Sequence, residues 1–232
     1  MRILILLFWL SIAANVGFAA ADPSWLMLPA ALAGWYLADL ASGAIHMYMD
    51  YRPCRPGNGL GDLYFYEGDR TSEDYRRRFD AAMARIGPIE RLVFDFKNHH
   101  PRPLALGRRA LGRQINSTIL FGTLPYSLAL NAACLILLVP GWLTTGLIVL
   151  LMGGTFAQYF HGTLHRDDNP WFVTTMRRAG LLMTPQAHEL HHSTLQRDFS
   201  TNCGWSNPLL NAVFNALRRN GRLPDHGLEP TS

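Results

Sequence analysis

Residues 114–165 read QINSTILFGTLPYSLALNAACLILLVPGWLTTGLIVLLMGGTFAQYFHGTLH and contain no Asp, Glu, Lys or Arg. A run this long without charge excludes a disordered chain, a coiled coil and a simple soluble domain. Pro140-Gly141 marks a turn that divides the run into two apolar segments, 116–139 and 142–161, each long enough to cross a bilayer as a helix. The stretch therefore reads as a helical hairpin in a membrane.

The same pattern recurs upstream. Residues 3–38 hold one acid, Asp22, and the apolar segments 3–20 and 25–48 form a second hairpin interrupted only by Asp39. The predicted fold class is all-α, with about four transmembrane helices. Segment 3–20 also has features of a cleaved leader: a single Arg, an apolar run, then Phe18-Ala19-Ala20-Ala21. Either reading leaves the rest of the topology unchanged. Composition agrees, since 16% of the 232 residues are charged against about 25% in soluble domains. Cys54, Cys134 and Cys203 are too few and too scattered for a disulfide framework or a C-x-x-C metal site.

Charge sets the orientation. Of the 21 basic residues, 20 are Arg and Lys97 is the sole Lys. Residues 50–116 hold 13 of them and 166–232 hold seven, whereas the turns near Asp22 and Pro140 hold none. Positive loops stay inside, so both termini and the polar segments 50–113 and 166–232 are predicted to be cytoplasmic. The expectation is one multi-pass domain over 1–232, its cytoplasmic segments forming a helical cap. Within the cap, residues 73–86 place Tyr75, Phe79, Ala82, Met83 and Ile86 at helical spacing. That helix either lies on headgroups or covers the cap.

Eight of the nine histidines fall into four groups: His46, His99-His100, His161-x-x-x-His165 and His188-x-x-His191-His192. Residues three or four apart share a helix face, so the spaced pairs can address one metal. His46 and His161 end predicted spans, which lets all eight meet just beneath the cytoplasmic membrane face. His226 lies alone in the polar tail. Eight imidazoles exceed the four ligands of a zinc site and suit two metals with open positions. Iron adds redox chemistry with O2, and a di-iron centre at the hydrocarbon boundary points to oxidation of a lipid C–H bond. Two acids support the site: Asp50, four residues after His46, and Asp39, seven before it. An acid inside the membrane costs about 2.5–3.5 kcal/mol, so a partner is expected for Asp39; the preferred role of both acids is to orient ligands, with iron binding the alternative for Asp50 and a plain helix–helix hydrogen bond the alternative for Asp39.

Three rivals remain. The stretch beginning His188-Glu189 reads H-E-x-x-H, the zinc-protease signature with Glu as general base. It lies in a polar stretch after Pro185, its tandem histidines duplicate a ligand, and it leaves the other clusters unexplained. A hydroxylase on the same metal centre differs from a desaturase only in the fate of the second hydrogen. A haem or metal carrier has no need for so many imidazoles.

Ala38-Asp39-Leu40-Ala41-Ser42-Gly43-Ala44-Ile45-His46 with Asp50, Phe96-Lys97-Asn98-His99-His100, Gly154-Thr155-Phe156 before His161-x-x-x-His165, and His188-x-x-His191-His192 before Gly204-Trp205-Ser206-Asn207-Pro208-Leu209 resemble the Kua-type lipid desaturases. The resemblance covers residues 35–215 in order. It implies a helical membrane enzyme with two iron ions, held by His46, His99, His100, His161, His165, His188, His191 and His192, which also form the catalytic centre. It further implies O2 as co-substrate, a membrane lipid as substrate, and electrons from cytochrome b5 or a ferredoxin-like donor; nothing in it involves nucleic acid. Family members desaturate the 1-O-alkyl chain of an ether phospholipid, giving a plasmalogen vinyl ether, or palmitate on a plastid phosphatidylglycerol. The chain departs from the pattern at Met47, where Trp is common, at Gln158, and in the length of the stretch between His46 and His99.

Overall fold

The computed structural model describes residues 2–230. Among these residues the regular elements are all helical. Four helices are long and apolar enough to cross a membrane: α1 (Arg2–Ala21), α2 (Met27–Tyr51), a continuous helix over Leu111–Leu137, and Gly141–Thr163 within a helix that runs to Leu164. Between α2 and the third span lie α3 (Leu60–Tyr64), α4 (Glu73–Met83), α5 (Pro88–His99) and α6 (Leu104–Gly107). The third span is α7 (Leu111–Thr118), a π turn at Ile119–Thr123, and α8 (Leu124–Leu137); the fourth is α9 (Gly141–Leu164). The chain continues through α10 (Trp171–Arg178), α11 (Pro185–Thr194), α12 (Asn207–Arg219) and a 3-10 turn at Asp225–Gly227.

Small residues decide how the spans pack. At Gly34 a Cβ would stand 2.2 Å from the Gly146 carbonyl oxygen, and at Gly153 it would stand 2.5 Å from the Ala38 Cβ. The α2 and α9 backbones are therefore in near contact, as glycine allows in membrane helices. Polar side chains join α1 to α8: Ser11 Oγ lies 2.7 Å from Ser127 Oγ, and Asn15 Nδ2 donates to the Ser127 carbonyl at 3.1 Å. The outward surface is apolar, with Leu135, Ile136, Leu137 and Leu138 exposed at the end of α8. Lipid is the solvent that suits it.

The cap has its own core, in which Leu60, Leu63, Val93 and Phe94 are fully buried. Helix α4 lies over it. Ser72 accepts the Tyr75 N–H at 3.2 Å as N-cap, and Tyr75, Phe79 and Met83 pack inward while Arg76, Arg77 and Arg78 are not buried. The helix covers the cap. It stops at Met83, three residues before Ile86, although Ile86 still packs on the core. The third span begins at Leu111 rather than at the apolar boundary near Asn116, because α7 is amphipathic and turns Gln114 and Ile115 inward.

Candidate metal centre

Four helices deliver the histidines to one place. His46 stands near the end of α2 with Asp50 one turn beyond, and His99 closes α5 with His100 directly after it. His161 lies in the last turn of α9 with His165 just past its end, while α11 carries His188, His191 and His192. Thr184 caps α11 by accepting the Ala187 N–H at 3.4 Å. His46, His99, His161, His188 and His191 are buried, and His100, His165 and His192 are half-buried.

The donor atoms fall into two groups. His99, His161, His165, His188 and His192 form one, and His46, Asp50, His100 and His191 form the other; within each group the candidate ligand atoms lie within 4.8 Å of one another. The division follows helix geometry. Residues four apart stay together, as in His161/His165, His188/His192 and His46/Asp50. Neighbours part company: His99 and His100 go to different groups, and so do His191 and His192. Successive helical residues diverge by about 100°, so each tandem pair can serve two centres at once.

The chemistry of the donor set fits metal. Asp50 Oδ2 lies 3.4 Å from His46 Nε2 and 3.3 Å from His191 Nε2, and Asp50 Oδ1 lies 3.5 Å from His100 Nε2. His161 Nε2 and His188 Nε2 approach to 3.0 Å. The Nε2 atoms of His46, His99, His100, His165, His191 and His192, together with both Asp50 oxygens, are buried without a hydrogen-bond partner. Each such orphan costs about 1–3 kcal/mol unless satisfied. Burial, reinforced by neighbouring imidazoles, holds His99, His100 and His188 far below the ordinary histidine range, His165 at about 4 and His192 at about 3. Each of these shifts favours the neutral imidazole, the form that ligates.

Backbone carbonyls aim the rings. The Nδ1 atoms of His46 and His191 lie 2.9 Å from the Phe199 and Arg197 carbonyl oxygens, and His99 Nδ1 meets the Phe96 carbonyl. A ring that donates Nδ1–H outward presents its Nε2 lone pair inward. Asp39 works one step further out. Its carboxylate accepts from Cys203 N at 2.8 Å, Gly204 N at 3.0 Å, Ser206 N at 2.9 Å and Ser206 Oγ at 2.6 Å. These bonds pin the loop that carries Phe199 and bring Asp39 to no histidine. Asp50, by contrast, stands among the donors themselves.

Sequence reading missed two clamps. Lys97 is fully buried and donates to the carbonyls of Met49 (3.1 Å), Asp50 and Gly227. Burial lowers its pKa to about 8, against the opposing pull of Asp50. It ties the end of α2 to the C-terminal tail, and its status as the only lysine was the available signal. Arg177 donates Nε to the Met183 carbonyl at 3.0 Å and Nη2 to the Thr163 carbonyl at 2.9 Å, joining the end of α9 to the approach to α11. His226 belongs to neither group, but the tail folds back, and His226 lines an opening of about 620 Å³ that also touches His100.

A second cavity, about 470 Å³, reaches His99 and His161. Gly154 lines it, and a Cβ there would meet nothing within 4 Å. The paired glycines thus divide the work: Gly153 packs the helices, and Gly154 leaves room.

Residues 84–219 match the family model described as the lipid desaturase domain. Among curated proteins, the chain is 25% identical over 193 residues to plasmanylethanolamine desaturase of Myxococcus xanthus, covering 82% of this chain and 58% of that protein. It is 26% identical over 194 residues to the chloroplastic fatty acid desaturase 4 of Arabidopsis thaliana, covering 81% and 49%. The chain thus spans about half the length of these relatives. No solved structure matches it.

Proposed function

The chain belongs to the lipid desaturase family, and from that premise we propose that it is an O2-dependent, non-haem di-iron enzyme converting a plasmanyl lipid to its plasmenyl vinyl ether. Overall, a –CH2–CH2– unit, one O2, two electrons and two protons would give –CH=CH– and two waters. The carrying observation is the pair of donor groups, five histidines beside three histidines and an aspartate, with a cavity reaching the first. His99, His161, His165, His188 and His192 would hold one iron, and His46, Asp50, His100 and His191 the other. Bound iron would supply redox chemistry with O2, which imidazole and carboxylate lack. The carbonyls of Phe199, Arg197 and Phe96 keep three rings in the ligating tautomer. The apolar wall around Ile45 and Gly154 would hold the hydrocarbon and exclude water. Electrons would come from a cytochrome b5-like or ferredoxin-like donor.

The choice of ether over acyl chain rests on the bacterial relative's name; the plastid relative's name supports the acyl alternative. Expression in a host with alkyl ether lipids and a compatible donor is expected to yield acid-labile vinyl ethers by lipid mass spectrometry. Acyl unsaturation with unchanged ether lipids would move the substrate to an acyl chain. An alcohol product would move the reaction to hydroxylation.

Glu189 tests the protease alternative. It is exposed on α11 and absent from both donor groups. Glu189→Gln is expected to retain most activity, measured as lipid product per unit protein. Abolition with iron content intact would restore a general base.

The centre is proposed to face the cytoplasm, as the basic residues of 50–116 and 166–232 indicate. Topology reporters fused after Arg113 and after Ser232 should both read cytoplasmic, and an external signal at either would reverse the orientation.

A further inference from the structure

The cavity that reaches His99 and His161 has a lining of mixed character. Ile45, Ala157 and Gly154 contribute apolar wall, and Arg91, Arg109 and Arg113 line it against a single acid, Asp95. Arg109 is held, its Nη1 3.2 Å from Asp95 Oδ2 with both side chains about two-thirds buried (31% and 30% exposed). Arg113 is exposed, and no acid pairs with it among the ion pairs of the described residues. It is also the last charged residue before the charge-free stretch that starts at Gln114, which sets it at the depth where hydrocarbon gives way to headgroup. Gln114 supplies an independent sign of a polar ligand. It lines the same cavity, is 5% exposed, and donates Nε2 to the Leu106 carbonyl at 3.1 Å, yet its Oε1 is buried without a partner. A buried acceptor of this kind is satisfied by an N–H or O–H donor.

We propose that the arginine-lined part of this cavity is a headgroup site, in which Arg109 and Arg113 bind the phosphate of a phospholipid and Gln114 accepts a hydrogen bond from its polar portion, while the chain lies in the same cavity against Ile45 and Gly154, within reach of His99 and His161. The inference rests on the lipid desaturase reading and adds specificity to it. A guanidinium suits the assignment, because it binds phosphate oxygens in a fork and stays charged at the membrane surface. Arg109, preset by Asp95, fixes the direction of approach; Arg113 supplies uncompensated charge. A glycerolipid without phosphate would enter the same cavity but leave Arg113 unpaired and Arg109 with Asp95 alone.

The test is binding, read separately from turnover. Purified protein in detergent would be titrated with three probes: a plasmanylethanolamine, the matched alkyl-acyl-glycerol lacking phosphate, and inorganic phosphate. The phospholipid should bind about tenfold or more tightly than the neutral lipid, the gain typical of one charge-assisted contact. Arg109→Gln/Arg113→Gln should erase that difference without changing affinity for the neutral lipid or iron content, and Arg113→Gln alone should erase part of it. The single variant leaves the Arg109–Asp95 pair intact, so it guards against a folding defect in the double variant. Inorganic phosphate at millimolar concentration should not displace the phospholipid. Equal binding of the two lipids by the wild type, or an undiminished preference in the double variant, overturns the headgroup site. Displacement by phosphate alone overturns the lipid as its source. Selective phospholipid binding by a protein that forms no desaturated lipid would instead overturn the desaturase reading and leave the site standing.

Discussion

Alanine at Asp50 is expected to lower activity at least about 100-fold and to reduce bound iron from about two per chain towards one. The carboxylate lies 3.3–3.5 Å from His46, His100 and His191, and neither oxygen has a hydrogen-bond partner. The carboxylate faces the Nε2 atoms of three rings, the atoms that would hold the metal, rather than an Nδ1 on their outer side. Equal losses are expected for alanine at His46, His99, His100, His161, His165, His188, His191 and His192. Replacements within one donor group should deplete the same iron. His226→Ala should remain near normal, and Asp39→Asn should fall between, since it loosens the 203–206 loop and, through it, the carbonyl that aims His46. Product formation, iron content and protein abundance measured together make the check. Two or more of the eight histidines tolerating alanine at normal abundance would break the assignment.

Gly34→Leu is expected to prevent accumulation of folded protein. Its first added carbon would lie 2.2 Å from the Gly146 carbonyl oxygen and 3.2 Å from the Leu150 nitrogen. Both are backbone atoms and cannot turn aside as a side chain would, so α2 must lift from α9. Overpacking typically costs about 1–3 kcal/mol even where neighbours can adjust, and here the cost should exceed that. It would also part His46 from His161, whose rings lie 4.9 Å apart. Gly154→Ala, with nothing within 4 Å of the added carbon, is the matched control and should fold normally. Monodispersity in detergent distinguishes the two. A folded Gly34→Leu protein would mean that the α2–α9 contact is looser than the structure has it.

The four spans were legible because a stretch without charge has few alternatives in water, and the histidine clusters were legible because their spacing is helical. The partition of the histidines was not. Tandem pairs suggest one shared target, and only the angular separation of successive residues, once the helices are fixed in space, sends His99 and His100 to different groups. Asp50 was visible as a neighbour of His46, but its position among the donors depends on α11 bringing His191 to the same point. Asp39 shows the converse: an intramembrane acid reads as functional, and here its four hydrogen bonds secure a loop 164–167 residues away in sequence. Arg177 acts through backbone carbonyls, which leave no trace in a pattern of side chains, and Lys97, acting the same way, shows only as the sole lysine.

Lys97 also makes the protein its own reporter. It is the only lysine in 232 residues, and its amine is enclosed by three carbonyls, one of them from the tail. Apart from the chain's own amino terminus, an amine-acylating reagent has no other primary amine to modify. Labelling at this position requires that enclosure of α2 and tail carbonyls to open, so its rate is a clock for the opening, readable by mass in intact protein with no probe attached.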